Sequence, residues 1–229
     1  MFSIYRTRLF QRYRQTGDKI REWAAMNLLK LFPSVKPNEI TVLSFFIGCI
    51  AALCFATDKI LLGALFYYIS DVLDGVDGIV ARYKKLSSPY GAFLDSCLDR
   101  YVDGFVIGGI MLYLYRSVEM YILIIVGMFA FLGIFLGSYS AHRAEALQRV
   151  VLRSWIPFER RVRMHVIVLC ALLNQLFYSL IIIGIIGNLN MLLRLRPSAL
   201  KNPKRLKKSE MDLLPKTSLT MIKALQKHK

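Results

Sequence analysis

Four aspartates stand in two pairs within one short part of the chain. Asp74 and Asp77 are three residues apart, and Asp95 and Asp99 are four apart. On helices these spacings place both members of a pair on one face, so two neighbouring helices would bring four carboxylates to one cleft. Such a cleft needs a cation, and oxygen ligands select hard divalent ions, Mg²⁺ or Mn²⁺. The two acid pairs therefore predict a metal site, with two ions that act on a displacement at phosphorus.

The residues next to the acid pairs suit a ligand that carries phosphate. Gly78 and Gly91 leave room for a nucleotide or its phosphates to approach the backbone, and Ala81 keeps the groove small. Arg82 has the forked guanidinium that pairs with phosphate oxygens. These neighbours predict a nucleotide site beside the metal site.

Long apolar blocks surround this polar segment and predict a membrane protein. Hydrophobic residues make up 55% of the 229 residues, and acids within hydrocarbon are costly unless a cation or water compensates them. We predict an all-α integral membrane fold with six transmembrane helices, each near the length that crosses about 30 Å of hydrocarbon. The apolar runs lie at 40–56, 60–70, 92–115, 120–139, 164–176 and 177–193.

The distribution of basic residues predicts the orientation. Most of the 31 lysines and arginines lie in residues 1–39, near Arg82, between Arg143 and Arg163, and in the C-terminal tail. The opposite loops hold only Lys59 and Arg116. Since cytoplasmic loops are enriched in basic residues, we expect a plasma (inner) membrane protein with both termini and both acid pairs on the cytoplasmic side.

Three regions follow from this pattern. We expect an amphipathic cytoplasmic juxtamembrane segment at 1–39, a transmembrane catalytic domain at 40–196 and a basic cytoplasmic tail at 197–229. The first region is predicted as two short helices broken near Gly17, with Asn38 as the N-cap of the first span. This region either lies among anionic lipid headgroups or packs on the protein's own cytoplasmic surface.

Charge and cysteine content exclude two other classes of function. The net charge of +16 does not indicate nucleic-acid binding, because the basic residues flank membrane spans and suit anionic headgroups instead. The four cysteines lie in apolar or helical contexts without a CxxC pair. They therefore indicate neither a disulfide framework nor a zinc site.

The segment from Asp74 to Asp99 resembles the signature of the CDP-alcohol phosphotransferases. It fits the pattern D-x2-D-G-x2-A-R-x8-G-x3-D-x3-D without gaps. The eight fixed places are filled by Asp74, Asp77, Gly78, Ala81, Arg82, Gly91, Asp95 and Asp99. A P-N-x-x-T element formed by Pro37, Asn38 and Thr41, ahead of the first span, adds to the resemblance.

The resemblance implies roles for these residues. The first three aspartates would bind metal, and Asp99 would assist them and act as the general base. The CDP group would lie against Asp74, Gly91 and the Gly78–Arg82 segment. Enzymes of this family are typically homodimers with a cavity that faces the cytoplasm. The implied reaction is attack by an acceptor hydroxyl on the β-phosphorus of a CDP-alcohol such as CDP-diacylglycerol, with release of CMP, in phospholipid biosynthesis.

The residues around the second acid pair bear on the acceptor. The form LDS-x-x-DR-x-x-D, with Asp103 one turn after Asp99, resembles the inositol-phosphate branch of the family. Arg143, Arg160, Arg163 and Asp103 are the candidate acceptor-binding residues. The three arginines also suit simple flanking charges, and Asp103 also suits a hydrogen bond within the bundle.

Several alternatives remain open on the sequence alone. The branch carries a lysine where this chain has Ala141, so one phosphate contact is missing or comes from elsewhere. The same chemistry is compatible with glycerol phosphate or inositol as acceptor, or with CDP-inositol as donor. In a different class, acids within apolar segments also occur in ion or metabolite transporters.

Overall fold

The computed structural model describes residues 8–146, 150–151, 159–195 and 200–201. Helices make up most of these residues. The helices are α1 (Arg8–Leu31), α2 (Pro37–Ala56), α3 (Ile60–Tyr83), α4 (Pro89–Leu114), α5 (Met120–Ala146), α6 (Arg160–Leu172) and α7 (Leu176–Arg194). Two dipeptide strands, β1 (Val150–Val151) and β2 (Leu200–Lys201), pair antiparallel. Apart from β2, the predicted tail at 197–229 lies outside the described residues.

Helices α2 to α7 close into a ring. Helix α2 packs against α3 and α4, α5 packs against α4 and α7, and α6 packs against α3 and α7. The centre of this bundle is apolar, and its largest fully buried side chains include Phe55, Tyr67, Ile110, Ile167 and Ile183. The acidic helices α3 and α4 both pack against α2. The two acid pairs therefore lie on two helices that share one neighbour.

Three helices of the described chain are long and apolar enough to cross a membrane. They are α2, residues Met120–Arg143 of α5, and α7, with mean hydropathies of 2.2, 2.5 and 2.0. The acids and Arg82 lower the hydropathy of α3 and α4, and α6 has 13 residues, which span only about 20 Å. Length and composition thus support a membrane protein, with three clear spans where six were predicted.

Helix α1 is continuous, so the predicted break near Gly17 is wrong. A Cβ built on Gly17 would lie 3.1 Å from Nη1 of Arg161, so the glycine accommodates a side chain of α6 rather than ending the helix. Tyr13 reinforces this contact, with its hydroxyl 3.0 Å from Nδ1 of His165. Burial raises the pKa of Tyr13, which therefore stays a neutral hydrogen-bonding group.

One face of α1 packs on the bundle and another is exposed. A second hydrophobic cluster joins Ala25 to Ile40, Val76 and Val80. On the other side, Trp23 is 71% exposed and further apolar residues of α1 are exposed with it: Ile20, Met26 and Leu31. Packing on the protein's own surface and contact with lipid headgroups are thus compatible, because α1 both covers the bundle and presents an exposed apolar surface.

The helix starts differ in part from those predicted. Helix α2 begins at Pro37, with Lys36 at the N-cap position and Asn38 inside the first turn, so the prediction of Asn38 as N-cap is wrong. Proline is favoured at the first helical position, and the side chain of Glu39 accepts a hydrogen bond from the Lys36 backbone N–H at 3.0 Å. The membrane helix therefore starts before residue 40.

Residues 84–88 form the turn between the two acidic helices. Helix α3 ends at Tyr83, and α4 begins at Pro89, where Ser88 caps it by accepting a hydrogen bond from the Gly91 N–H at 3.0 Å. The boundary predicted at residue 176 between the last two spans is wrong. Helix α6 has already ended at Leu172, and Asn174, which adopts a left-handed conformation (φ 55°), follows in a polar Asn-Gln pair.

Helices α2 and α4 approach closely at Gly109. A Cβ built there would overlap the carbonyl oxygen of Ala52, and it would lie 3.0 Å from the carbonyl carbon. Backbone atoms cannot rotate away as a flexible side chain can. The crossing of these helices therefore depends on the missing side chain at Gly109.

We expect Gly109→Ala to separate α2 from α4 and to destabilise the bundle by about 1–3 kcal/mol. Gly108→Ala is the matched control, because a Cβ on Gly108 meets no atom of the described chain within 4 Å. Thermal unfolding of both variants in detergent measures the difference. Equal stability of the two variants would contradict this account of the crossing.

Candidate active site

Three of the four motif carboxylates meet in one cluster. One oxygen each of Asp74, Asp95 and Asp99 lies within 4.8 Å of the others. Asp74 comes from α3, and the other two come from α4, as the four-residue spacing of Asp95 and Asp99 predicted. The three-residue spacing predicted Asp77 in the same cluster, and the structure places it outside. We call Asp74, Asp95 and Asp99 the acid cluster.

Arg160 supplies positive charge to this cluster. Its Nη1 contacts both Asp74 and Asp99, and the arginine side chain is 9% exposed. It comes from the start of α6, which packs against α3, so the guanidinium bridges the two acidic helices. Nε and Nη2 of Arg160 are buried and make no hydrogen bond within the described chain.

The charges around the cluster do not balance. Three arginines, Arg100, Arg160 and Arg163, face five aspartates: Asp74, Asp77, Asp95, Asp99 and Asp103. This leaves an excess of two negative charges when all five carboxylates are ionised. Oxygen-only donors with excess negative charge are the donor set that Mg²⁺ and Mn²⁺ prefer. The residues of the acid cluster thus fit a divalent metal ion.

Asp77 lies beside the cluster and has a different partner. Its Oδ2 accepts a hydrogen bond from the Thr41 hydroxyl at 2.5 Å, and that hydroxyl also lies 3.2 Å from the Pro37 carbonyl oxygen. Asp77 is therefore held by α2, and its oxygens do not belong to the 4.8 Å cluster. The spacing of the acids did not indicate this contact, because Thr41 is 36 residues away.

A cavity of about 210 Å³ connects Asp77 with Asp95. The other motif residues predicted to contact a nucleotide line the same cavity: Gly78, Ala81, Arg82 and Gly91. Asp74, for which a nucleotide contact was also predicted, lies in the acid cluster instead. The P-N-x-x-T element completes one wall with Pro37, Asn38 and Thr41. The structure thus places the predicted nucleotide residues around one cavity at the edge of the acid cluster.

The two glycines of this cavity differ in what requires them. A Cβ on Gly91 would lie 3.1 Å from Oδ1 of Asn38 and 3.3 Å from Oγ of Ser88, which is tight. A Cβ on Gly78 would meet Arg82 at 3.4 Å, an ordinary contact. Packing within the chain therefore explains Gly91 but not Gly78. Room for a ligand stays the prediction for Gly78.

The candidate acceptor residues fall into a buried group and an exposed one. Arg163 and Asp103 form a buried ion pair with each other at 2.8 Å, and Arg100 lies 3.6 Å from the same carboxylate oxygen. Arg160 and Arg163 therefore lie on one face of α6, as predicted, and contact acids one turn apart on α4. Arg143 is exposed near the end of α5.

His142, next to Arg143, connects α5 with α4 beside the acid cluster. Its Nε2 lies 3.3 Å from Oγ of Ser96, and Ser96 follows directly after Asp95 on α4. Ala141, which stands at the lysine position of the inositol-phosphate branch, precedes this histidine. The end of α5 thus lies beside α4 near the acid cluster, which brings its polar residues to the rim of the site.

Comparisons with known proteins agree with this geometry. The sequence profile described as CDP-alcohol phosphatidyltransferase matches residues 34–193, which contain the acid cluster and the cavity. A "Bifunctional IPC transferase and DIPP synthase" of Thermococcus kodakarensis is 40% identical over 113 residues, which cover 49% of this chain and 25% of that protein. The chain thus spans about a quarter of that relative's length.

Two further relatives are closer to this chain in length. An archaetidylinositol phosphate synthase of Pyrococcus horikoshii is 28% identical over 67% of this chain and 78% of its own length. The crystal structure of a Mycobacterium tuberculosis phosphatidylinositol phosphate synthase with CDP-DAG bound superimposes with a TM-score of 0.66 at 24% identity. The match covers 77% of this chain and 92% of the crystal-structure chain. The same protein has also been solved with manganese and citrate. These structures share the fold of this chain.

Gly78→Ala separates a ligand role from a packing role. We expect it to keep or raise stability, because alanine favours a helix by about 1 kcal/mol over glycine and meets no close neighbour. We also expect weaker binding of a CDP-alcohol, measured by calorimetry beside thermal unfolding. Gly91→Ala is the comparison, and it should lower stability. A destabilised Gly78→Ala protein with unchanged binding would contradict this assignment.

Proposed function

Because the chain belongs to the CDP-alcohol phosphatidyltransferase family, we propose that it transfers a substituted phosphate group from a CDP-alcohol to a polyol hydroxyl and releases CMP. The observation that carries the proposal is that the acid cluster and the nucleotide cavity lie side by side. The acid cluster fits a divalent cation, and it adjoins a cavity lined by the fixed glycine, alanine and arginine residues of the motif. A metal next to a nucleotide cavity is the arrangement that transfer at phosphorus requires.

The cavity supports a proposal for the donor. The nucleotide of a CDP-alcohol would occupy the space between Asn38 and Gly78, and Arg82 would pair with its phosphates. Thr41 holds Asp77 at the cavity wall, so the P-N-x-x-T element positions an acid of the motif as well as lining the cavity. A CDP-linked lipid such as CDP-diacylglycerol suits a site within a membrane protein.

We assign the metal to Asp74, Asp95 and Asp99, with Asp77 as a fourth ligand at the cavity side. Mg²⁺ is the proposed ion, Mn²⁺ is an alternative, and the family resemblance supports two ions. When bound, these ions neutralise the phosphates and stabilise the negative charge that develops on them. Oδ2 of Asp77 accepts the Thr41 hydrogen bond, and we assign Oδ1 to the metal.

Asp99 is the proposed general base. It accepts the proton of the acceptor hydroxyl as that oxygen bonds to the β-phosphorus, and the bond from this phosphorus to the CMP oxygen breaks. Arg160 and Arg100 contact the two carboxylate oxygens of Asp99, which orients the group. Arg160 also adds fixed positive charge beside the phosphorus, where negative charge develops.

The proposed acceptor is inositol phosphate. Its phosphate would meet the basic residues that surround the acid cluster, with Arg143 at the exposed rim and Arg160 and Arg163 further inside. Asp103, held by Arg163, would bind a hydroxyl of the ring through Oδ1, which makes no hydrogen bond within the described chain. The similarity to an archaetidylinositol phosphate synthase supports this choice. Glycerol phosphate or inositol as acceptor, and CDP-inositol as donor, are the alternatives.

The membrane arrangement belongs to the same proposal. We place all six helices of the ring in a plasma membrane, with both termini and the site on the cytoplasmic side, as the basic residues indicate. The residues before α2 and the basic tail form the flanking cytoplasmic regions of the catalytic domain. The exposed Trp23 and Leu31 of α1 would insert among anionic headgroups. Family resemblance supports a homodimer.

Purified protein with Mg²⁺, CDP-diacylglycerol and inositol phosphate is expected to release CMP, and chelation of the metal should stop the release. Asp99→Asn should abolish turnover, because it removes the general base. It should largely spare CDP-alcohol binding, because Asp99 does not line the nucleotide cavity. Chromatographic detection of CMP measures turnover. If no acceptor supports CMP release, the transferase proposal fails and the transporter alternative gains support. Full activity of the variant would remove the base role from Asp99.

A screen of inositol phosphate, inositol, glycerol phosphate and serine, with product masses, identifies the acceptor. Arg143→Ala should raise the KM for a phosphorylated acceptor about tenfold or more, since a hydrogen bond to a charged group is lost, and should leave the donor KM unchanged. Arg116→Ala is the matched control, because Arg116 is also exposed and pairs with Asp58 in the loop after α2. An unchanged acceptor KM would make Arg143 a flanking charge.

A further inference from the structure

A buried ion pair joins α1 to the motif helix α3. Arg21 donates from Nη2 to Oδ2 of Asp71 at 2.5 Å and to the Asp71 carbonyl oxygen at 3.0 Å. The side chains of Arg21 and Asp71 are 14% and 3% exposed. Asp71 lies one helical turn before Asp74. The contact therefore attaches α1 to α3 directly beside the acid cluster.

Gly75 makes this contact possible. A Cβ built on Gly75 would lie 2.5 Å from Nε and 2.7 Å from Cζ of Arg21, so a larger residue would displace the guanidinium. Gly75 stands at a variable place of the family motif, between Asp74 and Asp77. The motif therefore does not require glycine there, whereas the Arg21 side chain that crosses the helix does.

Two kinds of contact hold α3 against α1. Its back face is apolar, and Val76 and Val80 are buried against Ala25 of α1. Apolar packing is largely non-directional, so it resists rotation of a helix about its axis weakly. A short ion pair with two hydrogen bonds from one guanidinium is directional. Arg21 thus adds a rotational constraint that the valines do not provide.

We propose that Arg21 is a positioning residue for the metal site. Its ion pair with Asp71 across Gly75 holds α3 at the rotation that places Asp74 in the acid cluster. The cluster requires carboxylate oxygens from α3 and α4 within 4.8 Å of one another, so a small rotation of α3 weakens metal binding. The helix α1 is then part of the catalytic unit. This inference rests on the proposed role of the acid cluster as a divalent metal site.

Mn²⁺ binding to the full-length protein in detergent, measured by EPR titration of free Mn²⁺, tests the proposal without turnover. Arg21→Met keeps the aliphatic stem and removes the charge, and we expect about tenfold weaker Mn²⁺ binding or more, as for other partners that orient metal ligands. We also expect kcat for CMP release to fall while the KM for the CDP-alcohol is unchanged. Arg21→Lys should restore part of the Mn²⁺ affinity.

Gly75→Ala provides a second route to the same contact. It should reproduce the Arg21→Met effect, and the double variant should bind Mn²⁺ no more weakly than either single variant, because all three remove one interaction. Asp18→Asn is the matched control, because it breaks an exposed α1 ion pair, that of Asp18 with Arg161 at 2.9 Å, and should leave Mn²⁺ affinity unchanged.

The outcomes separate this inference from the proposed function. Wild-type Mn²⁺ affinity in folded Arg21→Met and Gly75→Ala protein overturns it, even when the variants unfold at lower temperature, because Arg21 then only attaches α1. If Arg21→Met does not fold, Gly75→Ala and Asp71→Asn decide in the same way. Wild-type protein that binds Mn²⁺ but releases no CMP contradicts the transferase and leaves the role of Arg21 standing.

Discussion

Carboxylates within 4.8 Å of one another inside an apolar bundle need positive charge, and the surrounding structure supplies it. Arg160 reaches the acid cluster from α6, and Arg163 neutralises Asp103 one turn further along α4. Both arginines come from the start of α6, so the packing of α6 against α3 brings cations to the acids as well as closing the helix ring. The remaining negative charge suits divalent ions, as we propose for the acid cluster.

The acid cluster also needs helices that keep their relative positions. Close contacts between backbones provide this, and glycines permit them. Gly109 brings α4 onto α2, and a Cβ on Gly187 would lie 2.7 Å from the carbonyl carbon of Gly133, which brings α7 onto α5. Such contacts do not adjust continuously, because backbone atoms cannot move independently of their helices. The site thus rests on a frame whose helix spacings are narrowly defined.

Local patterns predicted a large part of the site. The four-residue spacing of Asp95 and Asp99 and the grouping of Gly78, Ala81, Arg82 and Gly91 agree with the structure, because each depends on helical periodicity. The three-residue spacing of Asp74 and Asp77 did not bring Asp77 into the cluster. Membrane spans were harder to predict, since the acids of α3 and α4 lower their hydropathy and α6 is short. The break near Gly17 was wrong because a glycine that receives a side chain from another helix has the same sequence signal as one that ends a helix.

The amino-acid sequence by itself determined which residues lie on one helical face, and it predicted that their chemistry concerns cations and phosphates. The tertiary structure decided which groups meet. Arg160 contacts Asp74 across 86 residues, and Thr41 contacts Asp77 across 36. It also decided that Asp77 lies beside the acid cluster rather than in it. The physical reason is that helical periodicity is a property of neighbouring residues, whereas the partner of a buried charge is set by how distant helices pack.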